Sequence, residues 1–435
     1  MKKRYLISVV CFLAPLVFMF FVGILDEDRS FSSSENRELS TSPTLSLSSY
    51  LDASFMQDFE SYYTDQFPFR ETFMSLSKRY NSIMYPNFLL SDDDVISLPP
   101  TNINPTTTTT QEGGDSPAPS TNSPTTDQVD TESLQGSMIY GGRIMEIFNV
   151  SDSTAQRYAN VINALYAECG EPDTYVLIPP PAYTLYAPEN HINEKTDFDQ
   201  AMLVVSAALD GPQLIDLRET FDDRKDEALY FRTDHHWTAR GAYYACNAFL
   251  QAAENMTLPA LDTYQSGTRD GFLGSLYRAI MANQASALIE KNPDTLEYFY
   301  PFADAEVITY SSAAMIDPLE REVLYPDYNA DTNLYCVYMG GDIALGKITT
   351  QTKNGKSILV VRDSYGHAFV PFLIDAYETI YIVEPRYFNR DTNPMELGSF
   401  FTEHDVDTLL FLGYPNMSVG GYWDTISYYL EQLLP

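Results

Sequence analysis

Short, nearly continuous apolar runs mark this chain from residue 175 onward. They are Tyr175-Val176-Leu177-Ile178, Gln213-Leu214-Ile215-Asp216-Leu217, Ile358-Leu359-Val360-Val361, Thr379 to Val383 and Asp407 to Leu412. A strand with one wet face alternates apolar and polar residues, whereas a continuous run fits a strand covered on both faces. Helical spacing fills the intervals. Ala242, Tyr243, Cys246, Phe249, Leu250 and Ala253 form an i, i+3, i+4 stripe that predicts a buried helix beginning close to Thr238. A further helix is expected from His367 to Tyr377. The alternation from Gly136 onward predicts an α/β domain, residues 136–435, built on a parallel sheet with helices on both faces. No period of roughly 20 to 50 residues repeats, which argues against a solenoid or a propeller.

The first 135 residues read differently. Lys2, Lys3 and Arg4 precede an uncharged run from Tyr5 to Leu25, and at about 1.5 Å per residue that run reaches about 31 Å, the thickness of a hydrocarbon core. It ends in Ile24-Leu25-Asp26-Glu27-Asp28 with no small-x-small cleavage triplet. A retained transmembrane signal anchor, residues 1–25, is therefore expected, with a cleaved signal peptide as the alternative; either way the basic end is cytoplasmic and the bulk of the chain extracytoplasmic. Residues 26–100 read as an N-terminal helical segment in which helical spacing from about 52 to 83, broken near Pro68, predicts two short helices. Thr101 to Gln135 holds 10 Thr, 4 Ser and 4 Pro with no aromatic or basic residue, and reads as a disordered linker or insert.

Composition narrows the function. With 26 Lys and Arg against 60 Asp and Glu the net charge is 26 − 60 = −34, so a nucleic-acid partner is not expected. Tyr is frequent, 32 against 2 Trp, which suits either carbohydrate contact or half-buried packing. Outside the apolar run, Cys169, Cys246 and Cys336 have no CxxC spacing, so neither a disulfide scaffold nor a Cys-ligated metal is expected and at most one bridge can form.

In an open parallel sheet, ligands gather beyond the carboxyl ends of the strands. Ser364 follows the Ile358–Val361 run after only Arg362 and Asp363, with Tyr365-Gly366 leading into a helix. On such a turn a Ser hydroxyl projects into the cleft with following N–H groups, Tyr365 among them, near a helix N-terminus, or else it caps the helix. Thr233-Asp234-His235-His236-Trp237 ends a second run, Leu229-Tyr230-Phe231. A Ser nucleophile needs a base and the base needs a carboxylate. Asp234 and His236, two apart in an extended segment, would face one way and His235 the other. The same residues also allow a structural His cluster or a metal site, but no third-ligand spacing such as HExxH is present, and no metal is expected. Gly340-Gly341 could present N–H groups to a ligand or simply make a turn, and Asn416, after the Leu409–Leu412 run, could donate to an oxyanion or serve its turn.

TDHHWTARGAYYA resembles the signature of the DHHW family of bacterial extracytoplasmic proteins, and VVRDSYGHAFVPFL resembles that family's serine block. ENREL, DQFPFR and YGGRIMEI support the resemblance, which spans nearly the whole chain outside the Thr-rich stretch. The family is similar to the alginate O-acetyltransferase branch of SGNH-type esterases. That resemblance implies an SGNH-hydrolase-like fold with Ser364 as nucleophile, His236 as base, Asp234 as the orienting carboxylate and Asn416 as an oxyanion donor, and no cofactor. It further implies an O-acetyltransferase acting on an exopolysaccharide or cell-wall glycan, with a membrane-bound O-acyltransferase as acyl donor. A carbohydrate esterase or deacetylase, and a non-catalytic glycan-binding or assembly protein, are the alternatives. Arg362 stands where secreted SGNH esterases have Gly. Arg362, Arg386 and Arg390 follow consecutive strands and could form a local basic patch; without one, the net charge favours a neutral glycan.

Overall fold

The computed structural model describes residues 137–148, 150–188, 192–281, 285–328, 333–388 and 393–414, with shorter pieces at 31–32, 37–38, 41–43, 54–69, 72 and 96–98. The Tyr5–Leu25 run, the Thr-rich stretch, Arg390 and Asn416 lie outside the described residues. Among the described residues no helix is long and apolar enough to cross a membrane. Two compact units emerge, one comprising residues 1–89, 128–130 and 278–287, the other residues 90–127, 131–277 and 288–435. In the first, the helix Ser54–Asp65 matches the earlier of the two expected helices. Phe55, Phe59 and Tyr63 lie four apart on it, with stacked rings 6.0 and 6.4 Å apart.

The second unit is built on an eight-stranded sheet. In chain order its strands are β1 (Asp173–Leu177), β2 (Gln213–Ile215), β3 (Ala305–Tyr310), β4 (Leu319–Arg321), β5 (Leu345–Thr350), β6 (Ser357–Arg362), β7 (Thr379–Val383) and β8 (Thr408–Leu412), arranged β4-β3-β5-β7-β6-β8-β1-β2. β7, β6, β8, β1 and β2 are parallel. These five are the runs read from the sequence. β5, β3 and β4 extend the sheet in antiparallel fashion, so the sheet is mixed rather than wholly parallel. Burial alternates along β3 and in the second half of β5, β4 is largely exposed, and each carries Glu, Arg, Lys or Thr among its residues; the continuous apolar signature is therefore missing from them.

Alternation along the central strands sorts the core into two layers. Ile358 and Val360 pack with Ala242, Cys246 and Phe249 of helix α3 (Ala239–Glu254) and with Phe369 and Phe372 of α4 (Gly366–Leu373). Leu359 and Val361 pack with Ile162 and Leu165 of α1 (Asp152–Glu168), Val205 of α2 (Ile192–Ala208) and Phe400 of α5 (Leu397–Glu403). Each of these fully buried Phe, Ile or Leu side chains contributes roughly 1.5–3 kcal/mol. Helix α4 ends at Leu373, one turn before the expected Tyr377. Cys169, Cys246 and Cys336 are buried and unbridged.

A three-stranded antiparallel sheet of Ile96–Leu98, Ser137–Tyr140 and Arg143–Glu146 lies in the same unit. Its tight turn holds Gly141 and Gly142 at φ +58° and +68°. Two successive left-handed residues are what a type I′ hairpin requires, and glycine meets that demand without strain.

Candidate active site

β6 ends at Arg362, and Asp363-Ser364-Tyr365 turns into α4, with Gly366 N–H donating to the Asp363 carbonyl and His367 N–H to the Ser364 carbonyl, each at 3.0 Å. A Cβ on Gly366 would meet the Arg362 side chain at 2.6 Å, so the turn closes tightly only with glycine. The Asp363 carboxylate accepts the Tyr365 N–H at 2.9 Å and, through its other oxygen, the Tyr414 N–H beyond β8. Burial pushes the Asp363 carboxyl up to about 7, against the downward pull of those two N–H groups and of Arg362.

The DHHW turn is held from several directions. Thr238 caps α3 by accepting from Gly241 N–H, and its hydroxyl donates to the Ala228 carbonyl at 2.8 Å. Asp294 accepts the backbone N–H groups of Arg232 and Thr233 at 2.8–3.0 Å and the Thr233 hydroxyl at 2.7 Å. Arg143, from the Gly-Gly-Arg block, donates to the carbonyls of Tyr230 and Phe231 while its guanidinium lies 4.0 Å over the Tyr186 ring. The buried Trp237 donates its indole N–H to the Tyr365 carbonyl at 3.0 Å, and the Tyr365 hydroxyl donates to the His235 carbonyl at 2.5 Å.

Those tethers bring Asp234, His236 and Ser364 into one hydrogen-bonded line. His236 Nδ1 lies 2.6 Å from Asp234 Oδ1 and its Nε2 lies 2.7 Å from Ser364 Oγ. All three are buried, with relative exposures of 3, 3 and 7%. An ionised carboxylate can only accept, so Nδ1 carries the proton and Nε2 is left to accept from the Ser364 hydroxyl. Burial opposes ionisation of Asp234, but the charge and hydrogen bond of His236, the charge of His235 and the Ser275 N–H outweigh it and hold the carboxyl well below the usual carboxylate range. A Cβ on Gly274 would lie 2.2 Å from Asp234 Cβ; only glycine leaves room for the carboxylate there. Tyr335 stacks on the His236 ring at 3.8 Å and 9°.

His235 departs from expectation. The segment is bent rather than extended, because Asp234 Oδ1 also captures the His236 backbone N–H at 2.9 Å. The two imidazoles therefore lie 3.8 Å apart instead of on opposite sides, and His235 Nδ1 sits 2.6 Å from Ser275 Oγ. Asp234, His235 and His236 can bring ligand atoms within 4.8 Å of one another. Both His236 nitrogens already have partners, so an ion would have to displace Asp234 or Ser364 from the imidazole.

Other sequence candidates are placed differently. Arg362 has no exposed surface; it faces Glu384 at 3.5 Å and the carbonyls of Asp363 and Ile343, which removes it from the residues able to touch a glycan. Arg386 chelates the same Glu384 carboxylate at 3.1 Å. The N–H groups of Gly340 and Gly341 donate to Cys336 and Tyr338 carbonyls, with φ at +72° and +94°; the pair makes a turn, not a ligand nest. The Tyr365 N–H, an oxyanion candidate, is committed to Asp363. Residues that sequence reasoning does not single out are Asp294, Gly274, Tyr335 and Glu146. Glu146 accepts a hydrogen bond from the Tyr414 hydroxyl. A small pocket lined by Glu146, Asp234, His235, Tyr365 and Tyr414 together with Met145, Phe148 and Leu276 adjoins the line.

The fold has structural relatives. A DHHW family protein from Eubacterium siraeum matches with a TM-score of 0.58 and 27% identity, over 68% of this chain and 95% of that one. Bacillus cereus PatB1, solved with a sulfonyl adduct, matches with a TM-score of 0.54 and 17% identity, over 68% of this chain and 98% of its own, which is a likeness of fold. A second structure of PatB1 matches at 0.51 and 19%, over 66% of this chain and 96% of its own. No match was found among curated proteins. The profile of the family described as DHHW protein matches residues 91–383, a span that holds both the DHHW turn and the serine elbow, and the chain belongs to that family.

Proposed function

We propose that this protein is an extracytoplasmic, membrane-anchored O-acetyltransferase of SGNH-like fold that acts on an exopolysaccharide or cell-wall glycan. The observation that carries the reading is the buried line from Asp234 through His236 to Ser364 beyond the carboxyl end of β6. In the first half-reaction, Ser364 Oγ attacks the acyl carbonyl of the donor as His236 Nε2 takes its proton, and the leaving group departs with that proton. In the second, a glycan hydroxyl gives its proton to Nε2 and attacks the acyl-serine; the ester bond to Ser364 breaks and Oγ recovers the proton. Asp234 holds the tautomer and the imidazolium throughout. The resemblance to the alginate O-acetyltransferase branch supports acetyl as the group and a membrane-bound O-acyltransferase as its source. The apolar run Tyr5–Leu25 supports the anchor.

The test is the full chain in detergent with an activated acetyl ester, followed by intact mass and peptide mapping. Acetate on Ser364 that is discharged faster by oligosaccharide than by water is expected. Discharge by water alone would make the protein an esterase. Absence of acetyl on Ser364 would refute the reading. A sulfonyl reagent, the class named in the PatB1 adduct, should label Ser364 and block acetylation.

A further inference from the structure

The imidazole of the proposed base is covered on both faces. Tyr335 lies parallel to it, with ring centroids 3.8 Å and planes 9° apart, and the His235 ring is also centred 3.8 Å away, tilted by 35°. Rings that approach edge-first keep their centroids about 4.5 Å or more apart, and two rings cannot share one face, so His236 is sandwiched between Tyr335 and His235. Asp234 and Ser364 hold its two nitrogens at the edge of that sandwich. The two covers differ. His235 is itself a base, paired at Nδ1 with the Ser275 hydroxyl, and a charge on it would oppose one on His236. Tyr335 carries no charge: it is 1% exposed, and burial pushes its hydroxyl well above the usual range, which keeps the phenol neutral.

The Tyr335 ring is also fixed from behind. It stands on a single 3-10 turn, Leu334–Val337, where the Asn333 side chain accepts its backbone N–H at 3.2 Å. Phe231 and Tyr338 meet it in T-shaped contacts, with centroids 6.2 and 5.1 Å away. A ring kept in this place presents its negative π face to whatever charge the imidazole acquires.

Resting on His236 as the base for Ser364, we propose that Tyr335 is a positioning residue whose π face stabilises the imidazolium formed when His236 takes the serine proton. A cation over an aromatic face gains electrostatically where a neutral imidazole gains little, so the contact is stronger after proton transfer than before it. Its contribution therefore falls on the transition state and not on substrate binding. Asp234 balances the new charge at the edge of the ring and Tyr335 on its face. A cation–π contact of this kind accounts for roughly a twofold to thirtyfold change in rate.

The test replaces Tyr335 by phenylalanine and then by mono-, di- and trifluorinated phenylalanine, which withdraw electrons from the face at nearly constant size. On the full chain in detergent, two rates are read. One is single-turnover acetylation by an activated acetyl ester; the other is labelling of Ser364 by phenylmethylsulfonyl fluoride, which needs the same base but no acetyl donor. Tyr335→Phe should stay within about threefold of wild type, and each fluorine should then lower both rates about twofold, with KM for the ester nearly unchanged. Tyr335→Leu, apolar but without a π face, should fall to the level of the trifluorinated protein or below. Matching urea midpoints across the fluorinated proteins separate the charge effect from packing, and that series stands even where Tyr335→Leu unfolds. Rates that stay flat as fluorines are added, or a loss at Tyr335→Phe as large as at Tyr335→Leu, overturn the proposal. A wild-type chain that takes the sulfonyl label but no acetyl group strikes the proposed function, and the labelling rates then decide the role of Tyr335. A chain that takes neither strikes both.

Discussion

Asp363 links the serine elbow to the loop beyond β8, and its titration is measurable in the stability of the fold. Its carboxyl is raised by burial from an ordinary value of 3.8 to about 7. An acid with a raised folded-state value binds more protons folded than unfolded between those two values, so its contribution to stability is complete below about pH 4 and is lost as pH rises through about 7. Three units at about 1.36 kcal/mol each bound the whole window at about 4 kcal/mol, of which about 3 fall between pH 5 and pH 8. Asp363→Asn removes the titration. Like the protonated acid, Asn offers one good acceptor to the Tyr365 and Tyr414 N–H groups that the carboxylate serves with two oxygens. Urea unfolding of wild type and Asp363→Asn, on a chain lacking the apolar run, should show the variant gaining roughly 3 kcal/mol on wild type between pH 5 and pH 8. Differencing the two proteins cancels the titrating groups remote from Asp363, while Asp342 and Glu384, which interact with it, stay in the difference. A variant that keeps the same offset at both pH values would refute the raised carboxyl and the linkage built on it.

Ser364→Ala and His236→Ala should each lower acyl transfer at least about a thousandfold, with the double variant little worse, measured as single-turnover acetyl release. His235→Ala, which removes the Ser275 contact but neither link of the hydrogen-bonded line, should retain at least about a tenth of the rate. Gly274→Ala pushes a methyl into the Asp234 carboxylate and should lower kcat about a hundredfold, with KM for the activated ester nearly unchanged. Chelator treatment should leave ester turnover unchanged, since every atom of the proposed proton path belongs to a side chain; metal analysis that finds stoichiometric zinc lost together with activity would reverse that.

What is legible in the sequence follows from the range of each signal. β6, β7 and β8 carry their burial in nearly continuous runs and can be read residue by residue, while β1 and the edge strand β2 are only partly covered but keep their apolar residues. Ser364 stands out because it lies just past β6, Asp234 and His236 because they follow the short apolar run Leu229–Phe231, and the resemblance ties the three together. The supporting residues are invisible locally. Asp294 holds Thr233 from 61 positions away, and Glu146 meets Tyr414 across 268. Arg143 is noticeable only as part of a resemblance; its two bonds to Tyr230 and Phe231 show why an Arg after a Gly-Gly turn matters there. His235 is misplaced by assuming extended backbone, whereas a short Asp side chain competes for the N–H two residues on. Arg362 looks available because strand ends in parallel sheets face ligands, but its guanidinium folds back onto Glu384, whose carboxyl burial raises well above its usual range against the pull of that arginine.

In the proposed mechanism the Trp of the DHHW motif takes no part in proton transfer, yet it fixes where that transfer would happen. Three links cross between the turn and the elbow: Trp237 to the Tyr365 carbonyl, the Tyr365 hydroxyl to the His235 carbonyl, and His236 to Ser364. Tyr365 accepts in one and donates in another, so a shift of the elbow that shortened one bond would strain its neighbour. An imidazole held on both nitrogens and clamped against Tyr335 loses little freedom when it takes the serine proton, because that freedom was given up on folding. The cost appears in the core, where Trp237 is wholly buried against Phe369 and the helices on that face of the sheet. The aromatic packing under α3 and α4 thus stabilises the domain and holds the Ser364–His236 separation in one step, which is why the histidines and the tryptophan stand next to each other in the chain.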